Sequence, residues 1–212
     1  MGRMTVEIDV PELEQTIQID PKRTAFLLID IQNESCHPDG KNYTNADVNR
    51  MLDAVNALIG RAREHSCEVI WMQSVRRPDQ PVFSVFGVEP YRLEGTWNVE
   101  FAAPLVPADG EPVFKKYSHD CFYETGLSAY LAERGIAGPE WTVVVVGVSY
   151  VGCVFVAVTG LSHRDFRVVI PIDCVAPNSG DRASITMARL AHRSYAYNVH
   201  QLESSLGLEF VR

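Results

Sequence analysis

The chain predicts an α/β fold, a parallel sheet covered by helices. Three observations carry this: short apolar runs of the kind buried on both faces, amphipathic segments of helical period, and alternation of the two along the sequence. The first element is a strand, Ala25–Asp30, whose Phe26-Leu27-Leu28-Ile29 run is continuous. A helix follows over Asn45–His65, with Met51, Val55, Leu58, Ile59 and Ala62 recurring on one face. Glu68–Gln73 reads as the next strand. The Pro- and Gly-bearing stretch from Arg76 to Gly110 has no period and reads as a long excursion over the sheet, the kind of loop that builds a pocket. A short apolar piece, Val113-Phe114, leads to Lys116. Then come a helix at Thr125–Arg134, a strand at Thr142–Gly147 built on four valines, and a helix at Cys153–Arg164. A strand at Arg167–Ile172 and a helix at Arg182–Tyr197 continue the alternation, and a short final strand near Leu208–Val211 is expected to cover an edge. No repeat, low-complexity tract or linker divides the sequence, so one domain over residues 1–212 is expected.

Composition bounds the partners. With 212 residues and 46% hydrophobic content the chain can bury a full core. A net charge of −8 argues against nucleic acid or an acidic membrane surface, both of which repel an anion. Cys36, Cys67, Cys121, Cys153 and Cys174 are odd in number and form no C-x-x-C pair, so neither a zinc ribbon nor a disulfide framework is expected and a reducing cytoplasm fits. Met1 to Asp20 lacks the basic start and apolar core of a signal peptide, and no stretch is long enough to span a bilayer. The six histidines lack metal-ligand spacing, and no metal or other cofactor is expected.

Chemistry concentrates where the four-valine strand ends in Gly147-Val148-Ser149-Tyr150-Val151-Gly152 and delivers Cys153 to a helix start. The unpaired N–H groups of a helix N-terminus favour an anion, and thiolate is the reactive form of cysteine, so Cys153 is the candidate nucleophile. The alternative is a small buried hydrophobe. In an open parallel sheet ligands sit beyond the carboxyl ends of the strands, and Asp30, Gln73, Lys116 and Cys153 all fall at that rim. There Lys116 as ammonium would lower the thiol pKa, while Asp30 could accept the thiol proton and pass it to a leaving group. Taken singly, Asp30 reads as a strand-end cap and Lys116 as a solvated surface lysine; their joint position suggests more.

Phe26-Leu27-Leu28-Ile29-Asp30-Ile31-Gln32-Asn33, Lys116 with Phe122, Thr125 and Leu127 downstream, and Gly147-x-x-x-x-x-Cys153-Val154 resemble the isochorismatase-like cysteine hydrolases, in the same order. The resemblance runs from about Thr24 to near Tyr197 and includes Val168-Val169-Ile170-Pro171-Ile172-Asp173-Cys174. It implies a Rossmann-like three-layer α/β/α fold on a six-stranded, mostly parallel sheet. It implies a catalytic triad of Asp30, Lys116 and Cys153 acting through a thioester-type intermediate, and a non-proline cis peptide at Val148-Ser149. The N–H groups of Ser149 and Cys153 would form the oxyanion hole. Lys115 competes with Lys116, but the spacing to Phe122 and Thr125 matches Lys116, and Lys115 would face away on an extended segment.

Nicotinamidases of this family carry a metal-binding Asp-x-His after the strand corresponding to Glu68–Gln73; this chain has Gln73-Ser74-Val75-Arg76-Arg77 there. Glu94 to Glu100 together with Phe122-Tyr123-Glu124-Thr125 looks most like members acting on ureido and carbamoyl compounds. Gln32, Trp97, His119, Phe122 and Tyr150 are the expected pocket residues, with Trp97 equally readable as a core anchor. Departures are Ala157 and Gly160, where many members have Thr and Asp, together with Ser149 and Gly152. The resemblance thus implies a hydrolase for a small amide, ureide or N-carbamoyl compound, and a homo-oligomer, dimer or tetramer. Two alternatives stand beside it: a vinyl-ether hydrolase of the isochorismatase type that does not need the cysteine, and a non-catalytic small-molecule binder. A lowered pKa would make Cys153 alkylate faster than Cys67 or Cys174.

Overall fold

The computed structural model describes residues 10, 12–43, 46–177, 182–192 and 197–211. Its strands are β1 (Ile17–Ile19), β2 (Thr24–Ile29), β3 (Glu68–Ser74), β4 (Val113–Lys116), β5 (Thr142–Val148), β6 (Arg167–Pro171), β7 (Val175–Ala176), β8 (Val199–Leu202) and β9 (Leu208–Phe210). Its helices are α1 (Asn33–Cys36), α2 (Ala46–Glu64), α3 (Pro81–Phe86), α4 (Leu127–Glu133), α5 (Phe155–Ser162) and α6 (Arg182–His192).

Six strands line up as β4-β3-β2-β5-β6-β8 with every neighbour parallel, and β7 adds two residues beside the end of β5. The central strands are apolar on both faces because both are covered. Phe26 and Leu28 of β2, Val144 and Val146 of β5, and Trp71 of β3 pack with Met51, Val55, Leu58 and Ile59 of α2. The alternate residues Leu27, Ile29, Val143, Val145, Ile70 and Met72 pack with Leu127 and Leu131 of α4 and Ala157, Val158 and Leu161 of α5. The result is a three-layer α/β/α fold.

From β2 the chain builds outward through β3 to β4, then returns to β5 and builds the other way through β6 to β8. The order therefore reverses between β2 and β5, which opens a crevice at their carboxyl ends. Gly147 makes the close approach there possible: its φ is +117°, and a Cβ would lie 2.1 Å from the Ile29 carbonyl oxygen. Residues 76–110 fold back over this rim. Their Val99 carbonyl accepts from the side-chain amides of Gln32 (2.8 Å) and Gln73 (2.7 Å), and the Ala102 N–H donates to the Ile31 carbonyl at 3.1 Å.

Some elements differ from the sequence expectations. The segment from Cys153 does not open as an α-helix: a π turn, Tyr150–Val154, precedes α5, with Gly152 at φ −124°, ψ −107°. The final strand covers no edge of the main sheet, because β9 pairs with β1 in a separate two-stranded sheet. The edge beside β6 is taken instead by β8. Of the expected helices Asn45–His65 and Arg182–Tyr197, Asn45 and residues 193–196 lie outside the described residues, and the Tyr197 end is a turn. Among the described residues no helix is long and apolar enough to cross a membrane.

Candidate functional site

Asp30 follows β2 and Cys153 lies in the turn after β5, so the reversal of strand order sets them on the two sides of one crevice. Lys116 closes the edge strand β4, two positions from β2 and three from β5, with its backbone opposite Ser74. Its long stem spans the intervening strand. The side chain is fully buried, and its three N–H donors have three acceptors: Asp30 Oδ2 at 2.8 Å, Cys153 Sγ at 3.0 Å and the Ser118 carbonyl at 3.1 Å. Strand alternation turns Lys115 the other way, exposed and paired with Glu94. Asp30 has φ +53° and keeps Oδ1 buried without a hydrogen-bond partner.

The electrostatics follow from burial. Desolvation works against the Lys116 charge, but Asp30 and Cys153 outweigh it and its pKa is raised. Burial, and then the Asp30 carboxylate, push the Cys153 thiol up to about 12 against the opposing pull of Lys116. The expected lowering of this pKa is therefore corrected: one ammonium does not offset burial and an adjacent carboxylate. Cys36, Cys67 and Cys121 are also pushed up to about 12, chiefly by burial, so acidity does not set Cys153 apart. Position does: Cys153 is the cysteine in contact with the Asp30–Lys116 pair, and it lines a cavity of about 230 Å³.

Ser74, Arg76, Arg92, Tyr117 and His119 also line that cavity. His119 lies over Gly152, where a Cβ would come 3.6 Å from its ring, and burial followed by Lys116 and Arg76 lowers its pKa. The other expected pocket residues are placed elsewhere. The Gln32 amide is spent on structure, donating to the Ser74 and Val99 carbonyls and accepting from the Ser74 N–H at 2.8 Å. Tyr150 turns inward, fully buried, its hydroxyl 3.5 Å from His192 Nδ1. Phe122 lies with Arg164 3.8 Å over its ring, and a Cβ on Gly160 would meet that ring at 3.0 Å, which accounts for a glycine on α5. Trp97 is 40% exposed and meets His37 edge-on. Cys36 packs in the core. The Val148-Ser149 peptide is cis.

Arg76 and Arg92 were not singled out from the sequence. The available signal was the placement of Arg76 two residues beyond the end of β3, at the rim where the other candidates lie. Where some relatives of this fold would hold a metal, the segment Gln73 to Arg77 offers neither imidazole nor carboxylate, so its donor set does not fit one. Among the described residues no three His, Cys, Asp or Glu side chains gather as a metal site.

Known proteins share this fold. The ureidoacrylate amidohydrolase of Methylobacterium radiotolerans is 22% identical over 225 residues, covering 94% of this chain and 85% of that protein. The crystal structure of N-carbamoylsarcosine amidase from Thermoplasma acidophilum superposes with a TM-score of 0.72 at 22% identity, covering 86% of this chain and 96% of that one. A cysteine hydrolase from Pseudomonas syringae pv. phaseolicola 1448A superposes with a TM-score of 0.76 at 20% identity, covering 90% and 93%. The isochorismatase domain matches residues 24–199, well over half of the sequence, and the chain belongs to that family.

Proposed function

We propose that the protein is a cysteine hydrolase that cleaves the C–N bond of a small carboxamide, ureide or N-carbamoyl compound and releases ammonia. The observation that carries this reading is the ammonium of Lys116 held at 2.8 Å from Asp30 and 3.0 Å from the Cys153 sulfur, at the wall of one small cavity. With the thiol pushed up to about 12, the proton rests on sulfur. Attack therefore couples two events: sulfur bonds to the carbonyl carbon while Asp30 takes the thiol proton. The orphaned Oδ1 of Asp30 has free lone pairs for it. The N–H groups of Ser149 and Cys153 hold the oxygen as it becomes an anion. When the tetrahedral species collapses, the C–N bond breaks and Asp30 returns the proton to nitrogen, so ammonia leaves and an acyl–sulfur bond remains. Water then adds to that carbonyl with Asp30 taking its proton, the C–S bond breaks, and the proton returns to sulfur. Lys116 stays charged throughout and compensates whichever partner is negative.

Ammonia release from a panel of carboxamides, ureides and N-carbamoyl compounds tests the reading, with intact-mass detection of the acyl adduct. Cys153→Ala is expected to abolish both signals while the circular-dichroism spectrum stays native. Turnover by Cys153→Ala, or pyruvate release from isochorismate by that variant, would reject the nucleophile and favour a vinyl-ether hydrolase.

A further inference from the structure

We propose that Arg76 and Arg92 form an anion subsite within the same cavity, so that the compound hydrolysed there carries a carboxylate at the end away from the scissile bond. The second clause rests on the hydrolase reading; the subsite itself does not. Both side chains line the cavity beside Cys153, and the Nε atom of each is buried without a hydrogen-bond partner. Among the described residues, other arginine side chains are occupied. Arg23, Arg50, Arg63, Arg77 and Arg134 have carboxylate partners. Arg61, Arg164 and Arg167 donate to backbone carbonyls. By contrast, among the described residues the Arg76 guanidinium donates no hydrogen bond, and Arg92 donates one, from Nη2 to Ser35 Oγ at 3.1 Å.

The two are held ready. The Arg76 N–H donates to the Arg92 carbonyl at 2.8 Å, and both guanidinium carbons lie against the ring of Tyr91, at 5.5 and 5.7 Å from its centroid. Charge points the same way. In a chain of net charge −8, this cavity collects Arg76, Arg92 and the underlying Lys116 against the single carboxylate of Asp30. A guanidinium fork matches a planar oxyanion in two parallel hydrogen bonds. At about 230 Å³ the cavity falls below the ~300–1,000 Å³ of drug-sized ligand sites, so the occupant is a small acid.

The test reads the subsite without requiring turnover. Rates of Cys153 alkylation by iodoacetate and by the neutral isostere iodoacetamide are measured by peptide mass, and their ratio cancels the intrinsic reactivity of the thiol. In the native protein the iodoacetate-to-iodoacetamide ratio is expected to exceed that of the urea-unfolded chain by ~10-fold or more, and to fall with salt. Arg76→Gln and Arg92→Gln should each reduce the excess and the double variant remove it, whereas Arg76→Lys should retain part. Malonate should protect Cys153 more than inorganic phosphate does; the reverse order would replace the carboxylate by a phosphate. A native ratio equal to the unfolded one, or one insensitive to both arginines, overturns the subsite, and the native-to-unfolded comparison needs no variant to fold. The hydrolase reading fails separately: an arginine-dependent ratio without ammonia release from N-carbamoylglycine or its relatives leaves the anion subsite standing and removes the chemistry.

Discussion

Replacing Lys116 by methionine is expected to destabilise the protein far more than losing one ion pair suggests. The ammonium supplies Asp30 with its one hydrogen bond to Oδ2, and Oδ1 already has none. Methionine fills the space of the stem but leaves a buried carboxylate without its counter-ion, a change that costs about 3–5 kcal/mol. Asp30→Asn strands the buried ammonium in the same way. In the double variant no charge is buried, so most of the loss should return, and the two single costs should exceed the double cost by about 2 kcal/mol or more. Urea unfolding of the four proteins measures this, provided the m-values agree. The pH dependence supplies an independent sign. The folded pKa of Lys116 is raised above the ordinary lysine value of 10.5, so its contribution is complete below that pH and is lost as pH rises through the folded value. Wild type should therefore lose stability above about pH 10.5 relative to the double variant. A Lys116→Met protein within about 0.5 kcal/mol of wild type, or strictly additive single costs, would refute a charge-compensated pair and with it the electrostatic basis of the proposed mechanism.

Two further outcomes are expected. Gly147→Ala places a Cβ 2.1 Å from the Ile29 carbonyl oxygen at a φ of +117°, so it should cost well over ~1–3 kcal/mol in urea unfolding and lower kcat, because the carboxyl ends of β2 and β5 must part. His192 is fully buried and burial lowers its pKa from 6.5 to about 4, so it is neutral in the fold and charged in the unfolded chain between those values. Stability should fall by about 3 kcal/mol as pH drops from 6.5 to 4. His192→Phe, which keeps the stacking on Phe155, should flatten that slope; an unchanged slope would mean that other groups carry it.

What could be read from the sequence was what repeats. β2 and β5 are buried on both faces, so they are continuous apolar runs, and the face of α2 is a long helical stripe. The joint rim position of Asp30, Lys116 and Cys153 follows from where β2, β4 and β5 end. Features depending on a single residue's backbone or on a loop were not legible. The π turn before α5 follows from the conformation of Gly152, and β8 at the sheet edge, Val-His-Gln-Leu with two buried and two half-buried residues, is too short to show a period. The place of Tyr150 in the turn points to the pocket, yet the turn directs its ring inward against His192 of α6. Arg76 and Arg92 are 16 positions apart in a segment without periodicity, and only the backbone bridge between Arg76 and Leu93 brings them to one wall.

The raised pKa of Cys153 bears on why the lysine is there at all. If its task were to keep sulfur as a resting thiolate, the adjacent carboxylate would be counterproductive, since Asp30 pushes the thiol up. The arrangement suits a different task. In the proposed mechanism the negative charge moves from Asp30 to sulfur and on to the carbonyl oxygen, and in a largely buried cavity each transfer would be prohibitive beside a distant or solvated counter-ion. A compact ammonium within 3.0 Å of both heteroatoms is near the charge before and after it moves, so the difference in stabilisation between the two states is small. Arginine could not serve in this way, because its planar fork would fix its hydrogen bonds on one partner, whereas the three divergent N–H groups of Lys116 reach carboxylate, sulfur and the Ser118 carbonyl at once. Under the proposed mechanism the topology has a chemical reason: β2 and β5 supply the two groups that exchange a proton, and the edge strand β4, two positions from β2 and three from β5, supplies a cation long enough to reach both.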